Sequence, residues 1–233
     1  MVSRGVSVAV KYPRRKRTAI ILLAVCLAAA SGWAEKIPLR SGKTIDRDVL
    51  GQDSEGLLVA MPGMQDPRFE KSVIFVCAHS ADGAMGLIVN KPFDAISFPD
   101  LLEQLGVTEY GGGNRIDIQT GGPVESARGF VLHSPDYIRE ATLVVDEDVA
   151  LTATIDILRA IADGFGPERC MLALGYAGWG PGQLDTEILN NGWLNVDADD
   201  NLLFGGDLDC KWTQAMDKIG IDPRMLSDDA GHA

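Results

Sequence analysis

Two of the three histidines open near-identical tetrapeptides, His79-Ser80-Ala81-Asp82 and His133-Ser134-Pro135-Asp136, each at the end of an apolar stretch. A histidine beside a hydroxyl and a carboxylate can act as a general base when a cleft brings the groups together. The same residues also build turns, because Ser and Asp side chains bond backbone amides where a strand reverses, and that is their commoner use. Cys77 precedes His79 by two positions, so both point to one face of a strand. A metal would need further ligands, and Cys26, Cys170 and Cys210 supply no CxxC pair. No metal and no cofactor is expected, and Cys77 reads as a small buried apolar residue.

The second feature is a glycine-rich stretch, residues 174–184, with Gly175, Gly178, Gly180 and Gly182 around Tyr176 and Trp179. Read as a turn between a strand and a helix, residues 175–182 could offer free N–H groups to a phosphate. They match neither a Walker A loop nor GxGxxG, and Asp185 and Glu187 would repel an anion. A tight turn that packs the aromatics is the alternative. Gly121-Gly122-Pro123-Val124 leads into Arg128, which can bind an acidic group or pair with one of the chain's carboxylates. GxSxG, HExxH, EF-hand and helix-turn-helix signatures do not occur. If a cleft exists, it would gather His79, Asn90, Arg128, His133, Trp179 and Gln183.

Short apolar, β-branched runs predict strands at 57–61, 72–78, 84–90, 115–119, 129–133, 142–145, 170–174 and 193–196. The second and third form a hairpin through Asp82-Gly83, and their unbroken apolar character predicts burial on both faces. Helices are predicted at 99–105 behind a Ser97 cap, at 149–163 on the stripe Leu151, Ile155, Leu158 and Ala162, from Pro181 onward, and at 208–219. The mixed order of strands and helices predicts an α+β or mixed α/β fold, a mixed sheet with flanking helices.

The 233 residues carry a net charge of −12, distributed unevenly. Residues 1–50 hold 10 basic and 3 acidic side chains, which leaves 11 basic and 30 acidic for the rest. Residues 1–34 read as a basic and apolar leader like a signal peptide, with the apolar run at 19–30, or as the product of a start codon assigned too far upstream. Residues 35–54 read as a linker and residues 55–233 as the globular domain. Membrane contact is expected only through residues 18–34. The acidic remainder is unsuited to direct nucleic-acid binding, which depends on Lys and Arg at phosphates, and better suited to a basic protein partner.

Three blocks carry a resemblance: residues 56–92 (GLLVAMPGMQDPRFEKSVIFVCAHSADGAMGLIVNKP), 120–134 (TGGPVESARGFVLHS) and 174–194 (LGYAGWGPGQLDTEILNNGWL). Their order and content resemble the YqgE/AlgH family of bacterial proteins, also called UPF0301. The resemblance implies a mixed α/β fold, no established reaction, no cofactor and a cytoplasmic location. A cleaved leader would instead imply a periplasmic or secreted protein. The expectation is a non-enzymatic regulatory or protein-interaction domain with an unknown protein partner; the alternative is an enzyme or small-ligand binder using the cleft above.

Overall fold

In a computed structural model of the chain, residues 36–38, 44–46, 56–108, 110–111 and 116–223 are described. The leader at 1–34 lies outside the described residues, as does most of the 35–54 segment. From the latter, β1 (Lys36–Pro38) and β2 (Thr44–Asp46) pair antiparallel. The remaining elements are β3 (Leu57–Ala60), β4 (Val73–Ser80), β5 (Gly83–Ile88), α1 (Phe98–Gln104), β6 (Ile118–Thr120), β7 (Val124–His133), β8 (Thr142–Val144), β9 (Ala150–Thr152), α2 (Ile155–Ala162), β10 (Cys170–Trp179), α3 (Gln183–Leu189), β11 (Trp193–Val196), α4 (Asp200–Phe204) and α5 (Lys211–Lys218).

One sheet, in the order β11-β3-β4-β5-β10-β7-β9-β8, organises the domain, and β6 adds to β10 in parallel. The architecture is the expected mixed α+β sheet with helices. All eight strands of that order contribute to one apolar cluster, from Leu57, Phe75 and Leu87 through Phe130 and Leu132 to Leu143, Leu151, Met171 and Val196, so the sheet must curl around it. Trp212 and Met216 of α5 close that side. Outside, α1 and α2 cover β7 and β10 with Leu101, Leu102, Ile157, Leu158 and Ile161. Leu184 of α3 packs with Trp179 and Trp193 over β3 to β5. The β4–β5 hairpin forms through Asp82-Gly83, and nearly every residue of both strands is buried, as their continuous apolar runs require.

Strand β10 departs most from the sequence reading. Its chain runs straight through the glycine-rich stretch to Trp179, so Gly175 and Gly178 belong to a strand and the turn is confined to residues 180–182. Gly175 forms a bulge: its φ is 74°, the register slips between Leu174 and Tyr176, and a Cβ there would strike the carbonyl oxygens of Gly122 and Val124. The extra residue reverses the in–out alternation. Met171 and Ala173 face the main cluster before it; Tyr176 faces the cluster after it.

Other differences have local causes. The expected helix at 149–163 is divided: residues 150–152 form β9 between β7 and β8, and α2 starts only at Ile155. Cross-strand hydroxyl bonds at Thr152 and strand pairing on both edges outweigh the helical spacing of Leu151. The strand expected at 115–119 is β6, and β7 begins at Val124 rather than 129. The last expected helix is shorter, α5, preceded by α4, which Asp199 caps by accepting a bond from the Leu202 amide at 2.9 Å.

Candidate functional site

The two histidine tetrapeptides lie at opposite ends of the sheet. His133 pairs with Cys170 at the start of β10, whereas His79 pairs with Ala84, which pairs with Trp179 at its end. Nine residue steps along β10 separate these positions, about 30 Å at ~3.3 Å per residue. Direct cooperation between the two imidazoles is therefore excluded.

At the Cys170 end His133 is fully buried. Its Nδ1 lies 2.8 Å from the Ser134 carbonyl oxygen and its Nε2 2.9 Å from Thr152 Oγ1, which lies 2.9 Å from Thr142 Oγ1. The carbonyl accepts only, so Nδ1 carries the proton, and Nε2 accepts from the Thr152 hydroxyl. Thr152 in turn accepts from Thr142, whose oxygen receives the Arg139 amide at 3.1 Å. Burial lowers the His133 pKa below its ordinary value, in keeping with this neutral tautomer. Next to it, Ser134 Oγ donates to Asp136 and receives the Arg169 amide at 3.1 Å, and Asp136 receives the Glu168 amide at 2.9 Å. Burial pushes the Asp136 carboxyl upward, but these hydrogen bonds outweigh it and its pKa is lowered. At the other tetrapeptide the Asp82 amide donates to Ser80 Oγ at 3.2 Å. Both motifs work as turn chemistry.

Three of the expected residues gather around α3. His79 Nε2 lies 3.3 Å from Asp185 Oδ1. The Trp179 and Trp193 indoles both donate to Glu187 Oε2, at 2.9 and 2.8 Å, and Gln183 Nε2 donates to Oε1 at 2.8 Å. The two indoles meet edge to face with centroids 6.1 Å apart. The Gly180 amide, which an anion would have used, donates to Gln183 Oε1 at 3.1 Å. Glu187 thus ties the helix to two strand ends.

The remaining expected residues lie elsewhere. Asn90 bridges β4: its Oδ1 accepts from the Val73 amide and its Nδ2 donates to the Lys71 carbonyl, both at 2.8 Å. Arg128 is buried over the Phe130 ring and 3.2 Å from Glu125 Oε2. The structure does not bring His79, Asn90, Arg128, His133, Trp179 and Gln183 into one cleft. Burial pushes the Cys77 thiol far up, so it is not poised as a thiolate ligand or nucleophile. Among the described residues no group of three His, Cys, Asp or Glu could hold a metal.

Two features escape the sequence reading. Lys211, in the first turn of α5, is 1% exposed and donates to the carbonyls of Val89 and Leu203, each at 2.9 Å. Burial lowers its pKa to about 8. A lysine at the start of an amphipathic helix ordinarily signals a surface, so its burial had no signature. The other is an open groove of about 700 Å³ lined by Asp146, Glu147, Asp148, Asp197, Asp199 and Asp200, with Arg169 as its one cation among the described residues. Arg169 pairs with Asp200, and Lys218 binds Asp199 at 2.7 Å. Asp146 Oδ1 receives the amides of Asp148 and Val149. The carboxylates of Glu147, Asp148 and Asp197 are exposed and make no hydrogen bond or ion pair among the described residues. The runs DED at 146–148 and DADD at 197–200 are plain in the sequence, but only the fold sets them on facing walls.

Comparisons with known proteins agree with this architecture. A family model described as AlgH-like matches residues 57–224. A UPF0301 protein of Bradyrhizobium diazoefficiens is 60% identical over 185 residues, covering 76% of this chain and 86% of that protein. One from Rhodospirillum rubrum is 57% identical over 176 residues, covering 76% and 92%. The solution structure of the AlgH protein from Pseudomonas aeruginosa aligns with a TM-score of 0.64 at 38% identity, over 78% of this chain and all of that one. A crystal structure from Corynebacterium diphtheriae shares the fold, with a TM-score of 0.54 at 20% identity over 71% of this chain and 87% of that one. No helix among the described residues is long and apolar enough to cross a membrane.

Proposed function

The chain belongs to the AlgH-like, UPF0301 family, and from that premise we propose that it is a non-enzymatic interaction module that takes a basic segment of a partner protein along its acidic groove. The observation that carries this reading is the groove itself: six carboxylates line it with one guanidinium, and three of the six have no partner among the described residues. Facing acidic walls focus the field between them and raise the local concentration of a cationic ligand. The polar residues around the histidines and glycines, by contrast, are engaged in hydrogen bonds that hold strands and helices together. Direct contact with DNA or RNA is disfavoured by the same charge, since polyanions would be repelled.

The test is fluorescence anisotropy of a labelled arginine-rich peptide across a salt series. Binding should weaken steeply as salt shortens the Debye length from about 30 Å at 0.01 M to about 8 Å at 0.15 M. The triple variant Glu147→Gln, Asp148→Asn, Asp197→Asn should bind at least about tenfold more weakly at low salt, roughly 1.4 kcal/mol, with its melting temperature preserved. Undiminished binding by that variant, or no binding at low salt, would refute the reading.

A further inference from the structure

We propose that the open edge of β8 is the strand-pairing half of this binding site, where an extended segment of the partner adds to the sheet and carries its basic residues over the groove wall. The proposal rests on the acidic-groove reading and states how the segment lies. Strand β8 ends the sheet order, with β9 on one side and no strand beyond it among the described residues. Its register with β9 pairs Thr142 with Thr152, Leu143 with Leu151 and Val144 with Ala150. The amide of Val145 donates to the Val149 carbonyl at 2.9 Å, and hydrogen-bonded pairs alternate along an antiparallel ladder. Leu143 therefore bonds to Leu151, while the backbone groups of Thr142 and Val144 face away from β9. The Thr142 amide turns back to the Arg139 carbonyl at 3.0 Å. This leaves the N–H and C=O of Val144 aimed at the outer edge, the template an added strand uses.

The exposed side chain at that edge is also apolar. Val144 is 43% exposed, one of the five large exposed hydrophobic residues among those described. Beyond Val144 the strand runs into the turn bearing Asp146, Glu147 and Asp148, the wall of the groove. At ~3.3 Å per residue, a segment paired with Val144 reaches those carboxylates within two to four positions, or about 7–13 Å. The occupant this describes is a short apolar, β-branched stretch followed directly by Lys or Arg. A second copy of the chain fits poorly. Antiparallel β8–β8 pairing would bring the acidic turn of one copy toward Glu140 of the other, and parallel pairing would set the two acidic turns side by side.

The experiment uses the full chain and two peptides, both joining a valine-threonine stretch to an Arg-Arg-Lys cluster; in one, the backbone amides of the apolar stretch are N-methylated. Charge is identical in the pair, and only strand pairing is lost. The unmethylated peptide should bind about tenfold or more tightly than its partner, the worth of one or two backbone hydrogen bonds. It should also slow hydrogen exchange at the Val144 amide by a similar factor while leaving that of Leu143 unchanged. Equal affinity for both peptides, with the Val144 amide exchanging as in the free protein, would overturn the strand-pairing proposal and leave the groove reading intact. Failure of both peptides to bind at low salt would overturn both.

Discussion

Replacing Lys211 with Met should change how stability depends on pH, and the expected change can be worked from the side chain's surroundings. The Lys211 amine is buried between two carbonyl oxygens, and burial alone lowers its pKa to about 8 from the usual 10.5. In the unfolded chain the amine recovers its ordinary pKa, so between about pH 8 and 10.5 the unfolded state binds more protons than the folded one. Stability must then rise with pH through that window, by at most about 1.4 kcal/mol per unit and by roughly 1 kcal/mol between pH 7 and 9. Two thiols, the buried Cys77 and the half-buried Cys170, act in the opposite sense. Burial raises Cys77, and raises Cys170 to about 11, so their contributions decline as pH climbs past the ordinary thiol value of 9.0. These are present in both proteins and cancel when the variant is subtracted from the parent. The assay is urea unfolding of both at pH 7, 8 and 9, with the difference in free energy plotted against pH. Its offset mixes two lost hydrogen bonds with relief of a buried charge; its slope reports the amine alone. The parent should gain on Lys211→Met by roughly 1 kcal/mol across the series. Parallel curves would show that the amine keeps its ordinary pKa in the folded protein and would refute the reasoning.

Glu187→Gln places an amide N–H against the donor of Gln183 while the two indoles compete for the remaining oxygen, so it should cost about 1–3 kcal/mol, read from the melting curve and from tryptophan emission. An unchanged melting temperature would mean the carboxylate does not anchor α3. Gly175→Ala should cost roughly 3 kcal/mol or more, since a left-handed φ of 74° is combined with a clash against two carbonyls. Gly182→Ala, with φ 65° but open space around it, should cost only about 1 kcal/mol, and equal losses at the two sites would contradict the bulge argument.

The elements that were legible in the sequence are those whose local chemistry and tertiary setting agree. The β4–β5 hairpin has apolar runs, a Gly at the reversal and burial on both faces, so pattern and outcome coincide. Residues 149–152 show the opposite case: their spacing continues a helical stripe, yet Thr152 is held extended by hydroxyl bonds to residues 10 and 19 positions away. The glycine-rich stretch was misleading for a related reason. Clustered glycines favour a turn, but at Gly175 the absent side chain lets two strands approach closely while β10 continues. The site residues followed the same rule. His79 and Trp179 meet α3, which Gln183 opens, because β4 and β10 flank β5 and both residues pair with Ala84. His133 and Asn90 also sit at strand ends, but at His133 the strand ends on the far side of the sheet and Asn90 is spent on the backbone at the start of β4.

The three sequence blocks and the acidic groove occupy different parts of the sheet, although the AlgH-like match at 57–224 spans both. Residues 56–92, 120–134 and 174–194 build β3 to β5, the end of β6 and all of β7, and the later part of β10 with α3 and the start of β11. These are the central strands of the sheet and the Glu187 anchor, so the resemblance they carry concerns the scaffold. Apart from Gly56, every residue lining the acidic groove falls outside those blocks, on the β8–β9 turn, at Arg169, on the approach to α4 and within α4. Connections of that kind tolerate substitution because they bury little, whereas the scaffold fixes where they stand. Charge at Glu147, Asp148 and Asp197 can therefore change without disturbing the fold, whereas Asp146 holds the β8–β9 turn and Asp199 caps α4. A relative with neutral or basic residues in place of Glu147, Asp148 and Asp197 on the same sheet should prefer a different peptide, and exchanging those three positions between the two should exchange their peptide preference while both remain folded.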